Sequence, residues 1–211
     1  RKLREINKLV KKNNLTNYSF CDDFFINNNL VNYIYLESYF KKIIKNLSLI
    51  NIKVYILALF EKSQINKKNL KNYINPLRII SRELNKKKIK FAIETNLDVQ
   101  SIIKLIKLTN SKNICIVYDT GNRLKKNDLQ FKELIKLKKY ICHFHIKDKN
   151  WRGENVVLGE GNVNFNLIFK AIKKNNYKGK FTFETNRGDD PIITMQNNKK
   201  YIENICKNNN F

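Results

Sequence analysis

Residues 141–150 read ICHFHIKDKN, two histidines one residue apart and then a Lys-Asp pair. The 211-residue chain has no other histidine. Alternate positions share one face of a β-strand. A strand over 141–146 therefore points His143 and His145 one way and Cys142, Phe144 and Ile146 the other. Two half-buried, hydrogen-bonded histidines would account for this run taken alone. The choice depends on what stands at the ends of the other strands.

Strand-like and helix-like stretches alternate on both sides of it. YSFCDDFF (18–25) precedes VNYIYLESYFKKIIKNLSLI (31–50), whose apolar residues recur at helical spacing. KVYILALF (53–60) precedes LKNYINPLRIISRELNKKK (70–88), which reads as helical once past Pro76. The pattern returns in IKFAIET (89–95) with VQSIIKLIKL (99–108), and in ICIVYDT (114–120) with DLQFKELIKL (128–137). It continues in YICHFHIKD (140–148) with NFNLIFKAIKKNN (164–176), and in GKFTFET (179–185) with NKKYIENICK (198–207). About six β-α units with no break in composition imply an α/β fold with parallel strands, and one domain over residues 1–211.

Two parallel architectures compete, an open doubly wound sheet and a closed (β/α)8 barrel. None of the six glycines forms the Gly-rich turn after an early strand that a nucleotide-binding open sheet uses. The barrel accounts for a further pattern, because it builds its site from the C-terminal ends of successive strands. Glu94 ends KFAIET, Asp119 ends CIVYDT, His145 lies in CHFHIKD and Glu184 ends KFTFET. Each follows an apolar run, where a charge is costly unless a partner neutralises it. One shared divalent ion would neutralise all of them. Three carboxylates and an imidazole favour Mn²⁺, Mg²⁺ or Co²⁺, with Zn²⁺ next because no thiolate is in place.

These residues resemble the sugar-phosphate isomerases and epimerases of the xylose-isomerase-like TIM-barrel superfamily. The resemblance runs from about Tyr18 to the C-terminus and rests on the order and spacing of YDTGN (118–122), HFHIKD (143–148), LGEGNVNF (158–165), YKG (177–179) and FETNRG (183–188). It implies a metal held by Glu94, Asp119, His145 and Glu184, with His143 as a supporting or substrate-facing neighbour. Glu94 and Glu184 then act as acid and base on a sugar or sugar phosphate, through an enediolate that the metal stabilises. The family's ligand Glu stands on the fifth of eight strands, whereas FAIET is third here. The first two β-α units of the barrel are therefore expected to be missing, in line with a typical barrel length of about 250 residues.

Lys147, Asn122, Arg152 and Arg187 follow the ligands closely and are candidates to hold sugar hydroxyls or a phosphate; they are equally compatible with ordinary loop roles. The glycines of LGEGNVNF allow backbone N–H groups to approach an anion, with Glu160 between them opposing it. Asp22, Asp23 and Glu61 suit either a substrate-facing or a capping role.

The formal net charge of +24 invites a nucleic-acid partner. Lysine outnumbers arginine and comes with heavy use of Asn and Ile throughout, however, so the charge reads as a solvated surface with no specific nucleic-acid site. An endonuclease IV-like abasic-site nuclease needs a histidine-rich three-zinc cluster, which two histidines do not supply. The other alternative is a truncated, non-catalytic binding module. No apolar run is long enough for a membrane span and no signal pattern opens the chain. The four cysteines show no C-x-x-C spacing, so free thiols in a cytoplasmic protein are expected. A homo-oligomer is compatible with all of this.

Overall fold

The computed structural model describes residues 2–209. The chain divides into two compact units, Arg1–Val117 and Tyr118–Phe211.

In the first unit, helix α1 (Lys2–Lys12), a stretch not assigned above, buries no residue. Strand β1 (Ser19–Asp22) leads to α2 (Leu36–Leu47), β2 (Val54–Ala58), α3 (Leu70–Asn85), β3 (Lys90–Glu94), α4 (Val99–Thr109) and β4 (Ile114–Asp119), whose last two residues, Tyr118 and Asp119, belong to the second unit. The strands lie parallel in the order β1-β2-β3-β4. Their register sets Phe20 against Tyr55, Ala58 against Glu94, and Ile93 against Ile116. β2 is buried at every position, as a parallel strand covered on both faces must be. α3 starts at Leu70 and runs through Pro76, so helix past Pro76 alone is too short a reading. Tyr73, Pro76, Leu77, Ile80 and Leu84 are all buried along it. That apolar stripe outweighs the roughly 3 kcal/mol an interior proline costs. α4 starts where Asp98 accepts hydrogen bonds from the N–H groups of Gln100 (3.1 Å) and Ser101 (3.2 Å).

In the second unit, α5 (Leu129–Leu137) leads to β5 (Ile141–Ile146). A short antiparallel hairpin of β6 (Asp148–Lys149) and β7 (Asn155–Val156) follows, then α6 (Phe165–Lys174), β8 (Phe181–Phe183) and α7 (Pro191–Asn208). β5 pairs in parallel with β8, with His145 opposite Thr182. The Thr120 N–H donates to the His145 carbonyl (3.0 Å), which ties the end of β4 to β5. The alternation across β5 is as expected. The His143 and His145 rings lie 5.7 Å apart, while Phe144 packs against Tyr118, Tyr177 and Phe181.

Parallel strands alternate with helices in each unit among the described residues, the α/β pattern from which (β/α) barrels are built. No described helix is long and apolar enough to cross a membrane. Cys21 and Cys206 are free thiols, but Cys115 and Cys142 are disulfide-bonded. The expectation of four free thiols is corrected at these two positions, because the spacing of cysteines along the chain does not report their bonding.

Candidate metal centre

Each parallel strand delivers its last residue to the same end of the sheet, so ligands placed at strand termini are set by backbone pairing. Asp119 closes β4, His145 is the fifth residue of β5, and Glu184 directly follows β8. The Glu184 N–H donates to the Ile146 carbonyl (3.1 Å), which fixes where its side chain starts. Asp119, His145 and Glu184 each offer one ligand atom, all within 4.8 Å of one another. His145 Nδ1 lies 2.6 Å from Glu184 Oε2 and 3.9 Å from Asp119 Oδ2. Asp119 and His145 are buried, while Glu184 is half-exposed. One imidazole and two carboxylates are hard-to-borderline donors, so this set fits a divalent ion.

Glu94, the remaining candidate ligand, belongs to the first unit. It is the last residue of β3, 5% exposed, and its carbonyl accepts from the Leu59 N–H (2.9 Å).

Lys147 is integral to the cluster. Its Nζ stands 3.1 Å from Asp119 Oδ2 and hydrogen-bonds to Glu184 Oε1. Burial disfavours the ammonium, but Asp119 and Glu184 outweigh that penalty and raise its pKa above the usual lysine value. Burial likewise pushes the Glu184 carboxyl up, and the hydrogen bonds from His145 and Lys147 prevail, holding it at about 2. Glu184 is therefore ionised at neutral pH. His143 is fully buried and pairs its Nε2 with Thr182 Oγ1 (2.8 Å). Burial, then the neighbouring His145, bring the His143 imidazole down to about 4, so it is neutral at pH 7.

The residues after Asp119 explain YDTGN. The Asn122 N–H donates to Asp119 Oδ1 (2.7 Å). Thr120 Oγ1 accepts from the Lys147 N–H (2.9 Å) and donates to the Lys147 carbonyl (2.6 Å). A Cβ on Gly121 would fall 2.7 Å from Lys147 Cγ, so only glycine leaves room for the lysine stem. Sequence reasoning passed over Thr120 and Gly121; the signal available was a Thr-Gly pair directly after a strand-end Asp.

The other candidates lie further out. Arg152 is exposed in the turn between β6 and β7, its N–H bound to Asn150 Oδ1 (3.0 Å). Arg187 is exposed and, with Glu184, Asn186, Thr194 and Met195, lines a cavity of 350 Å³. Asp22 is buried and already engaged, accepting from the hydroxyls of Tyr39 and Tyr55 and from the Phe24 N–H. Glu61 is exposed in a short 3-10 turn.

The glycine-rich loop does form an anion nest, but its anion is internal. The fully buried Asp148 carboxylate accepts from the N–H groups of Gly159 (2.9 Å), Gly161 (3.0 Å) and Val163 (3.1 Å). A Cβ on Gly161 would fall 2.1 Å from Asp148 Oδ1. The backbone N–H groups that the glycines of LGEGNVNF leave open to an anion are thus taken by a residue of the same chain.

Residues 1–205 match the family model described as xylose isomerase-like TIM barrel. An inosose dehydratase of Clostridium botulinum is 29% identical over 112 residues, 44% of this chain and 37% of its own length. The matches to curated relatives cover 36–37% of those proteins. Among solved structures, an L-ribulose 3-epimerase superposes with a TM-score of 0.83 at 13% identity, covering 99% of this chain and 80% of the other. The IolI protein, solved with a bound zinc atom, superposes with a TM-score of 0.79 at 16% identity, covering 97% and 81%.

Proposed function

We propose that this chain, which belongs to the xylose isomerase-like TIM barrel family, acts as a metal-dependent isomerase or epimerase on a sugar or sugar phosphate. The observation that carries the proposal is the convergence of Asp119, His145 and Glu184 ligand atoms within 4.8 Å. The buried strand-end Glu94 is proposed as the fourth ligand. When bound, a divalent ion supplies Lewis-acid polarisation of the carbonyl and neighbouring hydroxyl oxygens of the sugar.

The chain's own residues then move the proton. Glu184, ionised at neutral pH, takes the proton from the carbon beside the carbonyl and leaves an enediolate. Glu94, entering the step as the carboxylic acid, gives its proton to the same carbon for epimerisation, and exchange with solvent then restores both glutamates. Return to the adjacent carbon gives aldose-ketose isomerisation. The cavity beside Glu184, with Arg187 at its wall, is assigned to the far end of the substrate.

Incubation of the Mn²⁺-loaded protein with pentuloses, hexuloses and their phosphates in deuterated water is expected to place solvent deuterium beside the ketose carbonyl. Metal and sugar binding without exchange on any of them would leave a binding module in place of an enzyme. A dehydratase is the second reading, favoured by the inosose dehydratase match. It starts with the same proton removal and ends with loss of the neighbouring hydroxyl as water, so a keto-polyol losing the mass of water identifies it.

His145→Ala tests the centre itself. Elemental analysis after purification with Mn²⁺ is expected to fall from about one equivalent per chain to none. Unchanged metal content in the variant would reject His145 as a ligand.

A further inference from the structure

We infer that Lys147 is a positioning residue that serves as a built-in counter-ion, holding Asp119 and Glu184 together when no divalent ion is bound and opposing that ion when it enters. This rests on the metal reading of the same cluster. The Lys147 ammonium lies against both carboxylates that the ligand set needs, at 3.1 Å from Asp119 Oδ2 and in a hydrogen bond with Glu184 Oε1. It has little freedom to leave. Both its backbone groups are tied to Thr120 Oγ1 and its stem lies against Gly121, with the side chain 7% exposed. A buried charge is poorly screened by salt. An ammonium and a divalent ion sharing two carboxylates therefore repel each other, and the ion's affinity is set partly by displacing or tolerating the lysine.

Lys147→Met keeps the stem and removes the charge. In chelator-treated protein it is expected to lower Tm, because the two carboxylates lose their counter-ion. Calorimetric titration with MnCl₂ is expected to show binding at least about tenfold tighter than in the parent. The rise in Tm on adding Mn²⁺ should be larger in the variant as well. Equal or weaker Mn²⁺ affinity overturns the inference, since a lysine that only braced the loops would lower Tm and leave affinity alone. If Lys147→Met does not fold, Gly121→Ala is read in its place. Its methyl pushes on the lysine stem while every charge is kept, and Mn²⁺ binding is expected to tighten by about threefold. Unchanged affinity there also overturns the inference. Mn²⁺ binding by neither parent nor variant would sink the metal centre itself, a failure distinct from that of the lysine's role.

Discussion

Glu184→Gln is expected to slow solvent-deuterium exchange by about 10³-fold while weakening sugar binding by less than about tenfold. Glutamine keeps the length and shape of the side chain and one oxygen to set against His145. It loses the proton-accepting carboxylate, which at a pKa of about 2 is ionised throughout the neutral range. Only the step that moves the carbon-bound proton needs that group, so the loss belongs in kcat and kcat/KM equally, with the apparent sugar affinity nearly kept. Mn²⁺ content is measured on the same sample, because a variant that has lost its metal reports on ligation and not on proton transfer. Exchange within tenfold of the parent in a metal-replete variant would make Glu184 a ligand only and move the base elsewhere. The sign of the pH effect follows from the same group. Its depressed pKa makes its ionised-state contribution to stability complete above its ordinary value of 4.5, and lost as pH falls toward about 2.

Asp148→Ala carries the largest expected loss of stability, about 3–5 kcal/mol, or a fall of about 10 °C in Tm. One carboxylate satisfies the N–H groups of Gly159, Gly161 and Val163. Alanine leaves these donors facing a hole in a region where Leu158 and Val163 are already buried. Gly161 has no Cβ because the carboxylate occupies that space. A melt shifted by less than about 2 °C would show that water or a neighbouring group takes over the three donors, and that Asp148 is not what shapes the loop.

The order of elements was readable from periodicity, because helix and strand repeats are set by residues only a few positions apart. That range also explains the misreading around Pro76. Proline is a local signal against helix, and its cost is offset by the burial of Tyr73, Leu77 and Ile80 against neighbours that the local sequence does not name. The buried setting of Asp119 and His145 was legible as well, since an ionisable residue at the end of an apolar strand needs a neutralising partner wherever the strand lies.

The sequence by itself thus determined a parallel α/β chain, with His143 and His145 on one face of β5 and ionisable residues at the ends of its strands. Tertiary structure alone decided which groups meet. It brought Lys147 between Asp119 and Glu184, clamped it with Thr120 and Gly121, and filled the glycine nest with Asp148 in place of a foreign anion. Both outcomes turn on the pairing of buried polar groups. A charge or an N–H removed from water takes the nearest partner in space, and for residues far apart in the chain that distance is set only once β4, β5 and β8 have packed.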